Sequence, residues 1–357
     1  MSPSETQKSP SFIPHLNAFR GVAIISIIIG HALSGGFYFV RHESSWTSTS
    51  LFSAMAETFG HGGTIYFTLI SGILFSLILK SRGWGTFAKS KILYVLLPYI
   101  FFSAGYTLYG FRDGGMGFFE GTLVEYMVEL GGNLLTGTSF YHMWYIPILI
   151  LVYLSTPLIT PLLHKPKLRI LLYLLVFMPL VSSRLWPGFS VTTPLYFIGA
   201  YTAGLIIGEH YQLAQSLFYR FRWALLASTV ICSAVLIYFY THSIDKLAFV
   251  SARESLFYIQ KLCFGVWLLT MLGQIEQKLP KWLHVLADKA FPIYFIHAVI
   301  QVAIIASLST LNLPWESDLM VFAISMAGAL GSLLGAAVIS IAIGKLLGKR
   351  SRLLIGA

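Results

Sequence analysis

"FRGVAIISIIIGHAL", residues 19–33, is apolar enough to cross a bilayer, yet it opens beside a cation, Arg20, and holds an imidazole, His31, deep within the run. Ionisable groups inside a spanning helix are costly and turn toward the protein interior or a cavity. The stretch therefore marks a membrane span and a candidate site together. The rest of the chain has the same character. Of its 357 residues, 56% are hydrophobic and 11% charged, where a soluble domain carries about a quarter charged residues. Mean hydropathy is +0.74. The shortage of charge runs from end to end and leaves no soluble domain of useful size, so the chain reads as an integral membrane protein.

Apolar runs of spanning length predict about ten helices, at roughly 20–40, 51–79, 92–111, 143–163, 170–186, 191–208, 223–241, 255–275, 290–310 and 319–344. The fold class is thus all-α, a polytopic membrane helix bundle. With the N-terminus placed in the cytoplasm, eighteen of the 24 Lys and Arg fall inside. Outside fall Arg41, Arg112, Arg184, Lys246 and Arg253, and Lys261 lies within a span. That asymmetry satisfies the positive-inside rule and puts both termini in the cytoplasm. It also accounts for the net charge of +10 without any nucleic acid. Seven tryptophans (Trp46, Trp84, Trp144, Trp186, Trp223, Trp282 and Trp315) sit near predicted span ends, as an aromatic belt.

The expected organisation is a disordered tail over 1–14, one transmembrane domain over 15–345 and a basic cytoplasmic tail over 346–357. The opening "MSPSETQKSPS" lacks the order of a signal peptide, so the first helix is expected to be retained. The outer connection 112–141 is amphipathic in its middle, with Glu125 and Glu129 one turn apart, and reads as a short interfacial helix or a mobile loop. "GLIIG" (204–208) and "GSLLG" (331–335) read as helix-packing motifs, and Ser71-Gly72 as a cavity lining or a close helix approach. Lys261 lies near enough to the outer end of its span to snorkel. Cys232 and Cys263 both fall in apolar segments, which argues against a disulfide framework or thiolate metal site. No Walker motif, metal-ligand cluster or internal repeat is visible, and no metal is expected.

Arg20 and His31 are eleven residues apart, three turns, and so share one helix face. They stand roughly 16 Å apart, about half the hydrocarbon thickness. That spacing suits a ligand anionic at one end and reactive at the other, and coenzyme A, a phosphate-bearing carrier with a long thin arm, fits. On spacing alone, a cytoplasmic anchor plus a packing histidine explains the pair equally well.

Five segments, in chain order, bear on that choice. Arg20 and His31 open the series. Then come "GGTIYFTLISGILFSL" with Ser71 and Gly72, "KSKILYVLLPYIFFS" with Lys89, Lys91, Pro98 and Tyr99, "YHMWYIPILILVYLSTPLI" with His142, Trp144 and Tyr145, and "FPIYFIHAVI" with His297. Together they resemble the acyltransferase 3 family of bacterial integral-membrane acyltransferases, closest to members that modify surface polysaccharide. Two departures stand out. Asn17 occupies a position where the family often has Asp, and the basic cluster carries lysines, which hold a phosphate as point charges rather than by a bidentate fork. The outer hydrolase-like domain that some members append is not expected here.

The resemblance implies transfer of an acyl group, most often acetyl, from acyl-CoA (acetyl-CoA) to a sugar hydroxyl of a surface polysaccharide or its lipid-linked precursor. The enzyme would sit in the bacterial cytoplasmic (inner) membrane as a multi-pass protein, with the lipid bilayer as surroundings. His31 is the expected base, or the carrier of an acyl-histidine relay. Arg20, Lys89 and Lys91 are expected to bind the donor's phosphates. His142, Trp144 and Tyr145 are expected on the acceptor side, where a flat aromatic stacks on a sugar. Glu57, His61 and His297 complete the candidate acceptor set, each with an ordinary packing or solvated role as its alternative. A transporter or flippase for a lipid-linked sugar also explains many spans with midplane polar groups, but predicts paired broken helices and gives no reason for the Arg20–His31 spacing. The other large class of membrane acyltransferases also uses an intramembrane histidine but lacks these ordered segments. A structural subunit would lose nothing when His31 is replaced.

Overall fold

The computed structural model describes residues 13–37, 50–112, 115–184, 190, 192–247, 250–311 and 315–356. The tail expected over 1–14 lies outside these apart from its last two residues, as do Arg41, Trp46 and Trp186. The first half of the described chain comprises α1 (Pro14–Gly35), α2 (Leu51–Met55), α3 (Gly63–Leu74), α4 (Trp84–Lys91), α5 (Leu97–Leu108), a hairpin of β1 (Tyr109–Arg112) and β2 (Gly115–Phe118), α6 (Leu123–Thr136), α7 (Tyr145–Leu163) and α8 (Arg169–Phe177). The second half comprises α9 (Thr192–Glu209), α10 (Tyr211–Arg220), α11 (Arg222–Thr241), a two-residue pairing of β3 (Lys246–Leu247) with β4 (Val250–Ser251), α12 (Ala252–Gln274), α13 (Lys281–Asp288), α14 (Ala290–Ser309), α15 (Asp318–Leu347) and α16 (Ser351–Ile355). Helix answers the bilayer's demand that every backbone polar group be satisfied within its own segment. Both hairpins are antiparallel and lie between helices, with Tyr109 opposite Phe118 and Lys246 opposite Ser251.

Among the described residues, eight helical segments are long and apolar enough to cross a membrane: Pro14–Gly35, Leu51–Leu79, Trp84–Leu108, Tyr145–Leu163, Arg222–Thr241, Ala252–Gln274, Ala290–Ser309 and Asp318–Ile355. The chain is a multi-pass, all-α membrane protein. The two other expected spans, 170–186 and 191–208, are shorter or less apolar. α8 is nine residues extended by a tight turn, Met178–Leu180. α9 carries Gly, Thr and Tyr on a face buried against α3. The pair nevertheless reaches the outer end of α12. Ser255 donates to the Leu180 carbonyl at 2.8 Å, Tyr196 donates to the Glu254 carbonyl at 3.0 Å, and Arg184 pairs with Glu254 at 2.6 Å. At the opposite, inner end, Glu209 accepts from Lys80 at 2.9 Å.

Glycine sets how closely the helices approach. A Cβ on Gly72 would strike the Tyr201 carbonyl, and one on Gly204 the Leu69 carbonyl, so the α3 and α9 backbones touch. Gly331 and Gly335 seat α15 against Ile304 and Ile300 of α14. Both sequence motifs therefore act as packing surfaces. A third approach joins α1 to the π-helical turn Ala56–Gly60, where Gly30 and Gly60 meet backbone to backbone. The amphipathic outer segment is the helix α6. Thr122 and Glu125 form a reciprocal capping box at its start, and Leu123, Val124, Met127 and Val128 are left exposed.

Candidate functional site

α1 carries the site at three levels. At its inner end Arg20 donates to Asn17 at 3.5 Å, and Asn17 donates to the Asp288 carboxylate at 3.1 Å. The Asp288 charge also acts on Arg20 through space. The acid missing at position 17 thus comes from the end of α13, and Asn17 links it to Arg20. Tyr153 of α7 joins the same group. Its hydroxyl lies 3.2 Å from Ser71, and the Lys91 ammonium sits 4.3 Å from its ring centre. The structure therefore seats Lys91 on the Tyr153 ring. Lys89 is exposed.

Beside Tyr153, between α7 and α14, lies a narrow cleft of about 20 Å³, room for a single water, bordered by Ser71, Tyr145, Phe291 and Tyr294. The Tyr294 hydroxyl donates to the His142 carbonyl, and the Tyr294 ring packs 5.2 Å from the His142 ring. Tyr294 thus joins the cleft to a cluster of three histidines.

In that cluster His31 Nδ1 lies 3.0 Å from His297 Nε2, with the rings stacked at 5.3 Å and nearly parallel. His297 Nδ1 faces the carbonyls of Ile293 and Tyr294, at 3.0 and 2.8 Å. Carbonyls only accept, so His297 Nδ1 carries the proton and its Nε2 is a bare acceptor. His31 must then donate from Nδ1, which leaves Nε2 with a free lone pair. Two hydrogen bonds select one tautomer, the one a base needs. Tyr141, 5.3 Å from the His31 ring, donates to Gln301 at 3.0 Å, and Gln301 donates back to the α1 carbonyl of Ile28 at 3.2 Å.

His142 completes the cluster, 5.2 Å from His297 and 6.3 Å from His31 between ring centres. It is 1% exposed and neither ring nitrogen has a partner in hydrogen-bonding geometry, although the Tyr294–Phe295 backbone is adjacent. Tyr145 is buried, bonded to Thr68 at 2.8 Å, and borders the cleft, while Trp144 packs on Phe197. His142 and Tyr145 therefore do not offer the outer stacking surface expected of them. Their rings are buried because the loop before α7 folds into the bundle.

The outer level lies where Gly30 meets Gly60. His61 Nδ1 is 2.6 Å from the Glu57 carboxylate, and His61 Nε2 is 2.7 Å from the hydroxyl of Ser34. Glu57 is buried rather than solvated. Lys261 does not snorkel. It is 3% exposed and donates to the carbonyls of Thr58 and Phe59, at 3.0 and 3.3 Å. Among the described residues, no three His, Cys, Asp or Glu side chains converge as metal ligands.

Sequence reasoning missed Asp288, Tyr153, Gln301 and Ser34. Ser34 had a signal, lying one turn beyond His31 on the same helix; the others come from elements remote in sequence. A family profile described as an acyltransferase domain matches residues 13–341. No curated protein and no solved structure matches the chain.

Proposed function

Since the chain belongs to the acyltransferase 3 family, and is therefore a membrane acyltransferase, we propose that it moves an acyl group, foremost acetyl, from acyl-CoA to a sugar hydroxyl. The acceptor is a surface polysaccharide or its lipid-linked precursor, and the enzyme sits in the bacterial inner membrane. One observation carries the reading: His31, three turns from Arg20, has Nδ1 committed to His297 and Nε2 free. In the reaction Arg20 and Lys91 hold the donor's phosphates at the cytoplasmic mouth, and Lys89 adds charge there. The pantetheine arm enters between α7 and α14 and widens the narrow cleft as it binds. The His31 Nε2 lone pair takes the proton of the attacking hydroxyl as oxygen bonds the carbonyl carbon. The carbon–sulfur bond breaks and the sulfur leaves with that proton. His297 positions His31, and His142 walls the thioester pocket.

The test is acyl-CoA binding and turnover by purified protein. Arg20→Ala should weaken binding about 10- to 100-fold, the worth of a charged contact. His31→Ala should bind normally and lose about 10²- to 10⁴-fold in turnover. If the parent binds no acyl-CoA, the donor reading fails and transport of a lipid-linked sugar becomes the experiment to run.

A further inference from the structure

The outer cluster has the connectivity of a nucleophile with its base. Glu57 as a carboxylate only accepts, so the 2.6 Å contact fixes the His61 proton on Nδ1. His61 Nε2 is then the acceptor, and the 2.7 Å contact from Ser34 is a hydroxyl donating to an imidazole lone pair. Serine, histidine and carboxylate stand in the order that activates a hydroxyl on many unrelated folds. A packing contact needs only the first of these bonds; the buried carboxylate on the far ring nitrogen stabilises the imidazolium that forms when the hydroxyl gives up its proton. Side-chain exposure is 34% at His61 and 6% at Glu57, so the base opens outward while its partner is shielded. The Gly30–Gly60 contact holds the two segments in register.

Position gives the cluster a task. Ser34 lies three residues beyond His31 on α1, about 4.5 Å further toward the outer side. An acyl group delivered at His31 thus meets Ser34 one turn on, in the direction of the acceptor.

We propose that Ser34 is a catalytic nucleophile that carries the acyl group as a serine ester between donor and acceptor, with His61 as its base and Glu57 orienting His61. This rests on the acyl-CoA reading and divides its single transfer into two. In the first half, the Ser34 proton passes to His61, Ser34 Oγ bonds the carbonyl carbon, the carbon–sulfur bond breaks, and the sulfur departs with the proton as a thiol. His31 keeps its place at the thioester. In the second half, the acceptor hydroxyl gives its proton to His31 Nε2, its oxygen bonds the carbonyl carbon, and Ser34 leaves and takes up that proton. No oxidant, reductant or further reactant is needed.

The experiment treats the detergent-purified full chain with a fluorophosphonate, which phosphonylates activated serines, and locates the adduct by peptide mass spectrometry. Acyl-CoA consumption is followed in parallel. The adduct should appear on Ser34 in the parent and in His31→Ala, and be lost in Ser34→Ala and His61→Gln. Ser34→Ala should cut transfer to acceptor at least about 10²-fold, with a monodisperse elution and melting temperature like the parent's. Ser34→Cys, incubated with acyl-CoA, should accumulate one acyl group on the peptide bearing residue 34. No Ser34 adduct in a parent that consumes acyl-CoA would overturn the proposal and leave the donor reading standing, as would parental transfer by Ser34→Ala. An adduct in a parent that consumes no acyl-CoA would support the nucleophile and sink the donor reading.

Discussion

His297 touches no substrate in the proposed reaction, yet its bonds to two backbone carbonyls decide which nitrogen of His31 carries a proton. His297→Ala should therefore lower kcat by about 10²-fold, within the range for a general base, while KM for the donor changes by less than about twofold. His297→Gln, whose amide oxygen also accepts from His31, should recover part of the loss. A packing role would give the two variants equal kcat. Such relations were only half legible in the sequence. The Arg20–His31 pairing could be read because both residues lie on one helix, whose period is known. The partner of His31 is 266 residues away, and nothing local encodes that contact. Asp288 is as remote from Arg20 in sequence, and its link through Asn17 needs the fold.

At the scale of elements, the difficulty is that lipid removes the contrast on which helix faces are assigned. A helix in water shows an apolar stripe; here exposed Leu158 and buried Ile159, adjacent on α7, are equally apolar. Spans were legible by length, therefore, and neighbours were not, save where glycine motifs marked contact. The Gly30–Gly60 crossing escaped because the two glycines lie thirty residues apart and neither belongs to a Gly-x-x-x-Gly pair. Gly30→Ala must push the turn Ala56–Gly60 off α1, at a cost of about 1–3 kcal/mol. A lowered melting temperature should accompany a longer Ser34–His61 separation, read as loss of activity beyond that of a neutral control such as Gly85→Ala, which has open space. α6 offers a pH-dependent counterpart. The Thr122 backbone and hydroxyl, both donating to Glu125, hold that carboxyl below its ordinary value. A depressed folded-state pKa means the cap contributes fully above the unfolded value, near 4.3, and is lost as pH falls through the folded one. Hydrogen exchange of the first α6 amides should therefore be protected at neutral pH and lose its protection in acid, and Glu125→Gln should remove the pH dependence.

Over the whole molecule, charge and helix count agreed before any contact was known, because the membrane imposes both from outside the chain. Arg184, one of the few cations expected outside, is paired with Glu254. What the sequence understated is how unequal the passes are. From the start of α8 to Leu180 there are nine α-helical residues and three in the tighter turn, which together rise only about 20 Å, against a hydrocarbon layer of about 30 Å. Ile170, Leu174, Phe177 and Val181 along this leg are exposed, so the acyl chains beside it have roughly two thirds of the ordinary depth to fill. Were α8 to face lipid across the full layer, the bilayer would have to thin beside it, and mismatch of this kind costs fractions of a kcal/mol per Å. Reconstituted into a series of phosphatidylcholines, the enzyme should be most active and most heat-resistant in the shorter-chain lipids and decline as the chains lengthen. A flat response across the series would mean that α8 is sheltered from lipid by another protein. On that side of the molecule, membrane thickness is then itself a variable that sets the rate.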